Sequence, residues 1–403
     1  MMSSSSTASP VTVHEEGAVR SHLYLSSNFW DGLWIIQQPI ANEIACDEPV
    51  LYVERFVSVF TVLRYPALWR RLFCWVRGAR QVSPNLRVLA PLPLFHLGHR
   101  VPWLFRLEFA LQRWWIRLWA HGHLSATRVL WIDNPLYECA VGRMREHLAV
   151  YHVADEVTAF PTSSPEISEA LEQRTLAKVG LVFAAAERLA DDKRRWNART
   201  YTIWNGIDTR AFDHEPDEVE LADIDRIPTP RVAFVGVLDQ WVDLDLLVLT
   251  ATRLPHISFV LVGPSNVGEG RLRALGNVHL LGRRRRDLVP GILRKCVASV
   301  VPFRKMKLTE RIVPLKVFEA LAAGILPVCT DFSPDLESLE REGRAAVGRS
   351  PDLFIAGVQE AVTADTPARR AWLGRYGRQQ TWRARWEQMR AILDEHFASV
   401  RRA

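Results

Sequence analysis

The chain contains few cysteines and few lysines. Its five cysteines form no Cys-x-x-Cys pair and have no histidine cluster beside them, so the sequence predicts neither a disulfide framework nor a zinc site. Several of them lie in apolar runs, and we therefore expect buried free thiols in a reducing compartment. Only six of the 51 basic residues are lysines, so nearly all of the positive charge is arginine. The cysteines are Cys46, Cys74, Cys139, Cys296 and Cys329.

The chain also lacks the segments that direct a protein across a membrane. Its first ten residues are rich in serine but have no basic start and no apolar core, so no secretion signal is predicted. Residues 1–20 are expected to be a disordered tail, and the protein is expected in the cytoplasm. No Asp-x-Asp pair stands at the end of an appropriate strand, so the sequence predicts no metal site.

Alternating strands and helices predict an α/β protein in two halves. With 403 residues the chain is long enough for two or three domains, each with its own core. Short apolar runs separated by helical segments are typical of parallel strands that are covered on both faces. In the first half, residues 21–205, a helix is predicted over 33–45. The predicted strands are 22–26, 50–54, 87–90, 128–133, 150–153, 181–184 and 201–204.

The alternation breaks at residues 205–208, Asn-Gly-Ile-Asp, because Asn-Gly is a strong turn signal. Residues 206–230 are predicted to be a polar linker, and a second α/β half follows in 231–370, with a helix over 244–253. Ligands of such sheets bind beyond the carboxyl ends of the strands, so a cleft between the halves is expected. Residues 371–403 are predicted to be a helix that packs back on the first half. The strands predicted in the second half are 231–237, 257–263, 278–281, 298–303 and 326–330.

One stretch of the second half, residues 309–328, carries a candidate binding pair. Pro314 suits the first turn of a helix, and the helix that follows places Lys316 and Glu319 three residues apart on one face. A cation at a helix N-terminus favours a phosphate, and a carboxylate one turn on accepts hydrogen bonds from sugar hydroxyls. Spacing alone is equally compatible with a salt-bridged pair on a surface helix.

Several ordered patterns together resemble the GT4-like glycosyltransferases of the GT-B fold, in particular the teichuronic-acid-type group of polysaccharide enzymes. Residues 200–208 resemble the hinge that opens the second half of these enzymes, and residues 314–328 resemble their Pro-x-Lys-x-x-Glu-x-x-Ala-x-Gly-x-Pro-Val donor motif. In the first half, Trp30-Asp31, the strand 50–54 and the Tyr-x-x-x-Asp-Glu pattern at 151–156 are similar to that group. The resemblance covers residues 22–335 and implies two Rossmann-like domains that face each other across a cleft.

The resemblance implies roles for individual residues of the second half. Glu319 would bind the ribose of a nucleotide-sugar donor, Lys316 would contact the donor diphosphate, and Thr309 would lie against it. Gly236 would let the backbone approach the leaving phosphate. The three arginines Arg283, Arg284 and Arg285 would lie near the base.

Two positions depart from the family pattern. Arg311 stands eight residues before Glu319, where these enzymes commonly carry a first glutamate. Residues 237–241 stand where they commonly carry arginine and lysine. The positive charge opposite the diphosphate is therefore expected from another residue, and the candidates are Lys305, Lys307, Lys316 and Arg311.

Three aspartates that follow predicted strands of the first half are candidates to accept the proton of the acceptor hydroxyl. Asp155, which is followed by Glu156, is the first choice, and Asp31 and Asp133 are the others. Each is also compatible with a helix cap or a turn. His152, inside a strand, is predicted to be a core histidine. The resemblance implies transfer with retention of configuration, and the sequence predicts no cofactor besides the donor and no metal.

Residues 61–120 form a basic segment rich in aromatic residues. It has ten arginines against one acid, Glu108, and in the helix predicted over 101–120 Arg106, Arg113 and Arg117 fall on one side. Four charges in that helix argue against a transmembrane span. A basic helix with Trp and Phe on its other face suits an anionic membrane surface, at the inner face of the plasma membrane, but a helix packed under the first sheet fits as well. Nucleic-acid binding is not predicted, because no recognised module accompanies the charge.

Three functions are compatible with these features. The first is transfer of a sugar from a nucleotide-sugar donor to a glycan or lipid-linked acceptor, in the assembly of a cell-surface polysaccharide. The second is a nucleotide-sugar 2-epimerase of the same fold, which would act on the donor without an acceptor. The third is a non-catalytic, membrane-associated protein that binds sugar nucleotides, which the departures at Arg311 and 237–241 would permit.

Overall fold

A computed structural model describes residues 20–32, 34, 36–65, 69, 71–94, 102–156, 165–213 and 221–402. Its first half is built on an eight-stranded sheet in the order β3-β4-β2-β1-β5-β6-β7-β8. All neighbours in this sheet are parallel except β3, which pairs antiparallel with β4 at the edge. The strands are β1 Ser21–Leu25, β2 Val50–Val53, β3 Ala79–Ser83, β4 Leu86–Leu89, β5 Arg128–Ile132, β6 Leu148–Val153, β7 Leu181–Ala184 and β8 Thr200–Thr202.

The second half is built on a six-stranded parallel sheet in the order β11-β10-β9-β12-β13-β14. The predicted α/β class with two parallel sheets is therefore confirmed. The strands β3 and β14 escaped prediction, because β3 is mostly exposed and β14 has only three residues. The strands are β9 Arg231–Val235, β10 Ser258–Val262, β11 Val278–Gly282, β12 Ala298–Val301, β13 Leu326–Thr330 and β14 Ala346–Gly348.

Helices cover both sheets, and their apolar sides form the cores of the two halves. The first helix begins at Gln37 rather than at residue 33, whereas the helix predicted over 244–253 has the predicted bounds. The helices are α1 Gln37–Asp47, α2 Val59–Arg64, α3 Arg71–Cys74, α4 Pro102–Ala120, α5 Pro165–Lys178, α6 Glu187–Arg194, α7 Ala222–Asp225, α8 Leu244–Arg253, α9 Gly270–Arg273, α10 Val289–Arg294, α11 Leu315–Ala322, α12 Leu336–Arg341, α13 Pro351–Thr363, α14 Pro367–Gln379 and α15 Trp382–Arg402.

The segment between the halves is more than a polar connection. Residues 214–220 lie outside the described residues, but 221–227 include α7 and bury three apolar side chains against β10 and α10. These side chains are Leu221, Ile224 and Ile227. The end of the linker therefore packs as part of the second half. The sequence did not predict this packing, because the segment is rich in acidic residues.

The last helix, α15, packs on α1 of the first half. Trp386 is fully buried, and its indole Nε1 donates a hydrogen bond to Asp47 Oδ2 at 2.8 Å. The predicted continuous helical tail is broken between α14 and α15, and Trp372, on α14, stays partly exposed. No helix of the described residues is long and apolar enough to cross a membrane.

The cysteines and His152 lie at sites of different burial. Cys139, Cys296 and Cys329 are buried free thiols as predicted, but Cys46 is exposed at the end of α1, so the expectation of buried thiols is wrong there. His152 is a core histidine, as predicted, and its Nδ1 lies 3.1 Å from the Tyr24 hydroxyl.

Candidate functional site

Two glycines shape the site at the carboxyl ends of β9 and β10. Gly236 and Gly263 have φ angles of 144° and 142°, which side chains of other residues rarely adopt. A Cβ on Gly263 would overlap the carbonyl group of Gly236, and a Cβ on Gly236 would overlap Nζ of Lys316. The backbone of Gly236 lies directly beside the Lys316 ammonium group, and for this reason only glycine fits at position 236.

The ammonium group of Lys316 lies between two aromatic rings. Its Nζ is 4.6 Å from the ring centre of Phe234 and 4.7 Å from that of Phe303. In the part of the chain that the structure describes, no carboxylate oxygen lies within 4 Å of it. Burial lowers the pKa of Lys316 to about 8, and the nearby Glu319 carboxylate has the opposite, smaller effect. An anion bound here would therefore gain a desolvated, unpaired cation.

Glu319 lies one turn further along α11 and reaches toward the other half. Burial raises the pKa of its carboxyl group, and the nearby cations Arg286 and Lys316 lower it. Arg286 Nη2 is 3.8 Å from Glu319 Oε1, while Arg286 Nη1 donates a hydrogen bond to the Trp34 carbonyl oxygen at 2.6 Å. Arg286 therefore links the predicted ribose-binding carboxylate to the first half across the cleft.

The three arginines predicted near the base differ from Arg286 in their surroundings. Arg284 pairs with Asp223 of the linker segment, Arg285 pairs with Asp287, and Arg283 is exposed. Their role at the base stays a prediction. The arginine that approaches Glu319 is the next one in the same run, and the spacing of four consecutive arginines carries no signal to single it out.

Thr309 is fully buried and its hydroxyl group holds a loop. The hydroxyl donates to the Arg304 carbonyl oxygen at 2.5 Å and accepts from the Met306 amide at 3.0 Å. The hydroxyl group of Thr309 is therefore engaged by its own loop. The position of Thr309 against the diphosphate stays a prediction. Lys305, in that loop, is paired with Asp331 at 3.5 Å.

Arg311 contacts two carboxylates of the first half. Its Nε donates to Asp192 Oδ2 at 2.8 Å and lies 3.5 Å from Glu156 Oε2. The suggestion that Arg311 supplies charge to the diphosphate therefore finds no support here, because two carboxylates already face it. The substitution at this family position places a cation between the halves.

Of the adjacent acids 155 and 156, only the second is engaged. Glu156 is buried, and Lys193 lies 3.5 Å from it and 2.6 Å from Glu172. Asp155, by contrast, makes no hydrogen bond or ion pair with another described residue. Burial raises the pKa of Asp155. Its carboxylate is therefore available to accept a proton or a hydrogen bond from a ligand.

The other two candidate aspartates are both occupied. Asp133 accepts hydrogen bonds from the Ser27 amide at 2.8 Å and from the Ser26 hydroxyl at 3.0 Å, and so orders the loop after β1. Burial raises the pKa of Asp133 to about 7. Asp31 is exposed and pairs with Arg80 at 2.9 Å. Asp133 and Asp31 thus have partners, whereas Asp155 has none among the described residues.

Clustered metal ligands are not found among the described residues. The two Asp-x-Asp pairs of the chain have other partners: Asp223 and Asp225 pair with Arg284 and Lys295, while Asp243 caps α8 and Asp245 pairs with Arg271.

A cavity of about 880 Å³ is lined by residues of both halves. Asp335 lines it and joins the halves, because its carboxylate accepts from the Glu187 amide at 2.9 Å and from the Trp204 indole at 2.8 Å. None of the predicted site residues lines this cavity.

Comparisons with known proteins agree with this architecture. Residues 229–363 match the family described as Glycosyl transferases group 1. Over 147 residues the chain is 24% identical to TuaH of Bacillus subtilis (strain 168), whose name describes it as a glycosyltransferase of teichuronic acid biosynthesis. That alignment spans 36% of this chain and 37% of TuaH.

Solved structures match nearly the whole chain. Sucrose-phosphate synthase from Thermosynechococcus elongatus superposes with a TM-score of 0.67 at 16% identity, over 94% of this chain and 100% of that chain. Anabaena HepE in complex with UDP superposes with a TM-score of 0.66 at 15% identity, over 93% and 100%. The E. coli trehalose-6-phosphate structure bound with UDP-2-fluoro glucose gives 0.64 at 12% identity, over 93% and 98%. The predicted fold is confirmed: the chain has the GT-B fold, and its residues 229–363 match the glycosyl transferases group 1 family.

Proposed function

We propose that this protein transfers a sugar from a nucleoside diphosphate donor to a hydroxyl group of a glycan or lipid-linked acceptor. The observation that carries this proposal is Lys316, a desolvated ammonium group that no described carboxylate approaches within 4 Å and that packs against the backbone of Gly236. A diphosphate leaving group develops negative charge as the glycosidic bond breaks, and a fixed cation beside it stabilises that charge.

Glu319 would bind the ribose hydroxyls of the donor. Its carboxylate lies one helical turn from Lys316, and a ribose lies at that distance from the diphosphate of a nucleotide. Arg286 is its nearest cation in the described chain, at 3.8 Å, and half of the Arg286 side chain is exposed. Donor binding would therefore replace a weak, solvated ion pair. Arg283, Arg284 and Arg285 remain proposed neighbours of the base, and Thr309 a proposed neighbour of the diphosphate through its loop.

Asp155 is the proposed acceptor of the proton from the attacking hydroxyl, with Asp133 and Asp31 as the less favoured alternatives. Among the described residues the carboxylate of Asp155 has no partner and can take a proton or a hydrogen bond directly, whereas Asp133 is bonded by Ser26 and Ser27 and Asp31 pairs with Arg80. Asp155 follows β6, at the carboxyl edge of the first sheet, which is the edge that bears ligands in this class of fold.

The finer parts of the proposal rest on the family resemblance and the relatives. HepE and the E. coli structure were solved with UDP or a UDP-sugar, so uridine diphosphate sugars are the first donors to test. The name of TuaH favours the assembly of a polysaccharide. We propose retention of configuration, no resident cofactor, no metal requirement and a cytoplasmic site of action.

Binding and transfer can be tested separately. Calorimetry with UDP and a panel of nucleotide sugars should show binding to the wild type, and both Lys316→Ala and Glu319→Gln should weaken it about tenfold or more. Lys295→Ala is the matched control, because Lys295 lies in the same half but pairs with Asp225 away from the site. Transfer is then measured with the donor that binds and a panel of glycan and lipid-linked acceptors.

Two results would overturn the proposal. Unchanged nucleotide affinity in both variants would remove the donor site from α11. Isomerisation of a UDP-sugar at its second carbon without any acceptor would show an epimerase. Binding of the donor without turnover on any acceptor, together with an unchanged cellular phenotype of Glu319→Gln, would support the non-catalytic alternative.

A further inference from the structure

Helix α4 exposes an apolar stripe to solvent. Trp103, Leu107, Leu111, Trp114 and Leu118 recur every three or four residues, and each is more than half exposed, with Trp103 at 68% and Trp114 at 63%. Positions with this spacing lie on one face of a helix. We call this set the outer stripe of α4.

The outer stripe is additional to the side of α4 that packs on the first half. Phe109 and Ile116 are buried in the core of that half. Gln112 is fully buried and its side-chain amide exchanges hydrogen bonds with the backbone of Leu92, at 2.5 and 2.9 Å. Trp115 donates its indole N–H to the Ala90 carbonyl oxygen. Packing of this helix under the first sheet therefore explains the apolar residues of its buried face, but it does not explain those of the outer stripe.

A second exposed apolar set lies beside the outer stripe. Trp75 belongs to the described part of the segment from α2 to residue 76, and it meets Trp115 of α4 edge to face, with ring centres 6.0 Å apart. Six large side chains of this segment are more than half exposed, and soluble surfaces seldom gather so many. They are Phe60, Leu63, Tyr65, Trp69, Phe73 and Val76.

The charges around the outer stripe are positive. Arg106, Arg113 and Arg117 follow one edge of the stripe at helical spacing, while Glu108, the one acid of residues 61–120, is buried on the other side. Burial and the neighbouring cations Arg113 and Arg145 lower the pKa of Arg117. Arg113 and Arg145 therefore lie near Arg117 at this edge, and the nearby Glu146 carboxylate offsets part of their charge.

We propose that the outer stripe of α4 and the six exposed side chains of the second set dock on an anionic lipid bilayer. Helix α4 lies in the plane of the surface, its tryptophans and leucines enter the headgroup region, and its row of arginines contacts lipid phosphates. A bilayer supplies the negative charge that this face lacks. A second copy of the chain would instead bring the same arginines and no exposed carboxylate from these residues. This inference goes beyond sugar transfer and does not depend on it.

Sedimentation of the full-length protein with lipid vesicles tests the proposal. The wild type should pellet with vesicles of phosphatidylcholine and phosphatidylglycerol and should stay in solution with phosphatidylcholine alone. Trp103→Ala with Trp114→Ala should weaken pelleting about tenfold or more, because the inserted apolar area is lost. Arg106→Gln with Arg113→Gln should weaken it about 25-fold, at about fivefold for each arginine near a charged surface.

Matched control variants distinguish binding through this face from non-specific binding to vesicles. Trp196→Ala removes a tryptophan that is 53% exposed elsewhere, and Arg375→Gln with Arg378→Gln removes two exposed arginines of α14. These variants should pellet like the wild type. Failure of the wild type to pellet with anionic vesicles, equal pelleting of face and control variants, or a dimer in sedimentation velocity that the Trp103→Ala, Trp114→Ala pair dissociates would each overturn the proposal. Nucleotide binding measured on the same variants should be unchanged, so this test stands apart from that of the donor site.

Discussion

Arg311 of the second half donates a hydrogen bond from Nε to the carboxylate of Asp192 on α6 of the first half, at 2.8 Å. Glu156, at the end of β6, lies 3.5 Å from the same nitrogen. The pair is shielded from water, with 14% of the Arg311 side chain and 23% of the Asp192 side chain exposed. A residue that departs from the family pattern thus forms a contact between the two halves, close to the proposed base.

The Arg311–Asp192 pair should stabilise the packed arrangement of the halves. We expect a coupling free energy of about 1–2 kcal/mol, because a charged hydrogen bond with little exposure is worth more than a surface ion pair. A double-mutant cycle of Arg311→Ala and Asp192→Ala, measured by unfolding in urea, gives this value. Arg341→Ala, an exposed arginine of α12, is the control and should change stability by less than about 0.5 kcal/mol. Additive single effects would show that the pair contributes nothing.

Donor affinity should depend on pH through Lys316. Burial lowers the pKa of this lysine from 10.5 to about 8, so the ammonium form, which the diphosphate needs, is lost as the pH rises above that value. UDP affinity should therefore decline above about pH 8, and Lys316→Met should remove the decline. Stability of the free protein should respond with the opposite sign, because between pH 8 and 10.5 the unfolded chain keeps a proton that the folded chain has released. Calorimetric titration across this range, with parallel unfolding curves, checks both signs.

Asp155→Asn should abolish transfer and leave donor binding intact. Loss of a general base lowers the rate about 100-fold or more, whereas the proposed nucleotide contacts lie on the other half. Asp31→Asn should leave the rate within about twofold, since its exposed pair with Arg80 contributes little. Steady-state kinetics together with UDP calorimetry separate rate from binding. A variant Asp155→Asn with wild-type turnover would transfer the role to Asp133 or to a residue not yet identified.

Gly236→Ala should weaken nucleotide binding more than it lowers stability. The added methyl group would displace the Lys316 ammonium group, and the φ angle of 144° is unfavourable for alanine. We expect at least a tenfold loss of UDP affinity, measured by calorimetry. Gly268→Ala is the matched control, because a Cβ there meets no atom within 4 Å. Equal affinities of the two alanine variants would contradict the close approach of backbone and cation.

Trp386→Ala should loosen the last helix from the first half. The side chain is fully buried and bonded to Asp47, and truncation of such a tryptophan costs about 3–5 kcal/mol in the free energy of unfolding. Trp196→Ala, at an exposed tryptophan, should cost about 0.5 kcal/mol or less. Urea unfolding monitored by circular dichroism compares the two. Equal losses would show that α15 does not depend on this anchor.

Much of the architecture could be predicted because its signals are local. The strand 326–330 and the helix 244–253 have their predicted bounds, since continuous apolar runs and helical periodicity reflect burial directly. The short edge strand β3 was missed, because its side chains are mostly exposed and leave no apolar run. The pair Lys316 and Glu319 could be found for the same local reason, as two charges on one turn of an otherwise apolar helix.

The chemical state of the site residues followed from contacts between distant segments. Asp133 and Asp155 look alike as aspartates after strands, but the loop after β1 bonds Asp133 and leaves Asp155 free of described partners. Arg286, rather than the three arginines before it, meets Glu319, and Arg311 meets α6. Chain order and composition therefore suffice for most strands of the two sheets, for the α11 pair and for the basic character of α4. Charge pairing, desolvation and the exposure of the outer stripe depend on which segments the fold brings together, because ion pairs and burial are properties of neighbours in space.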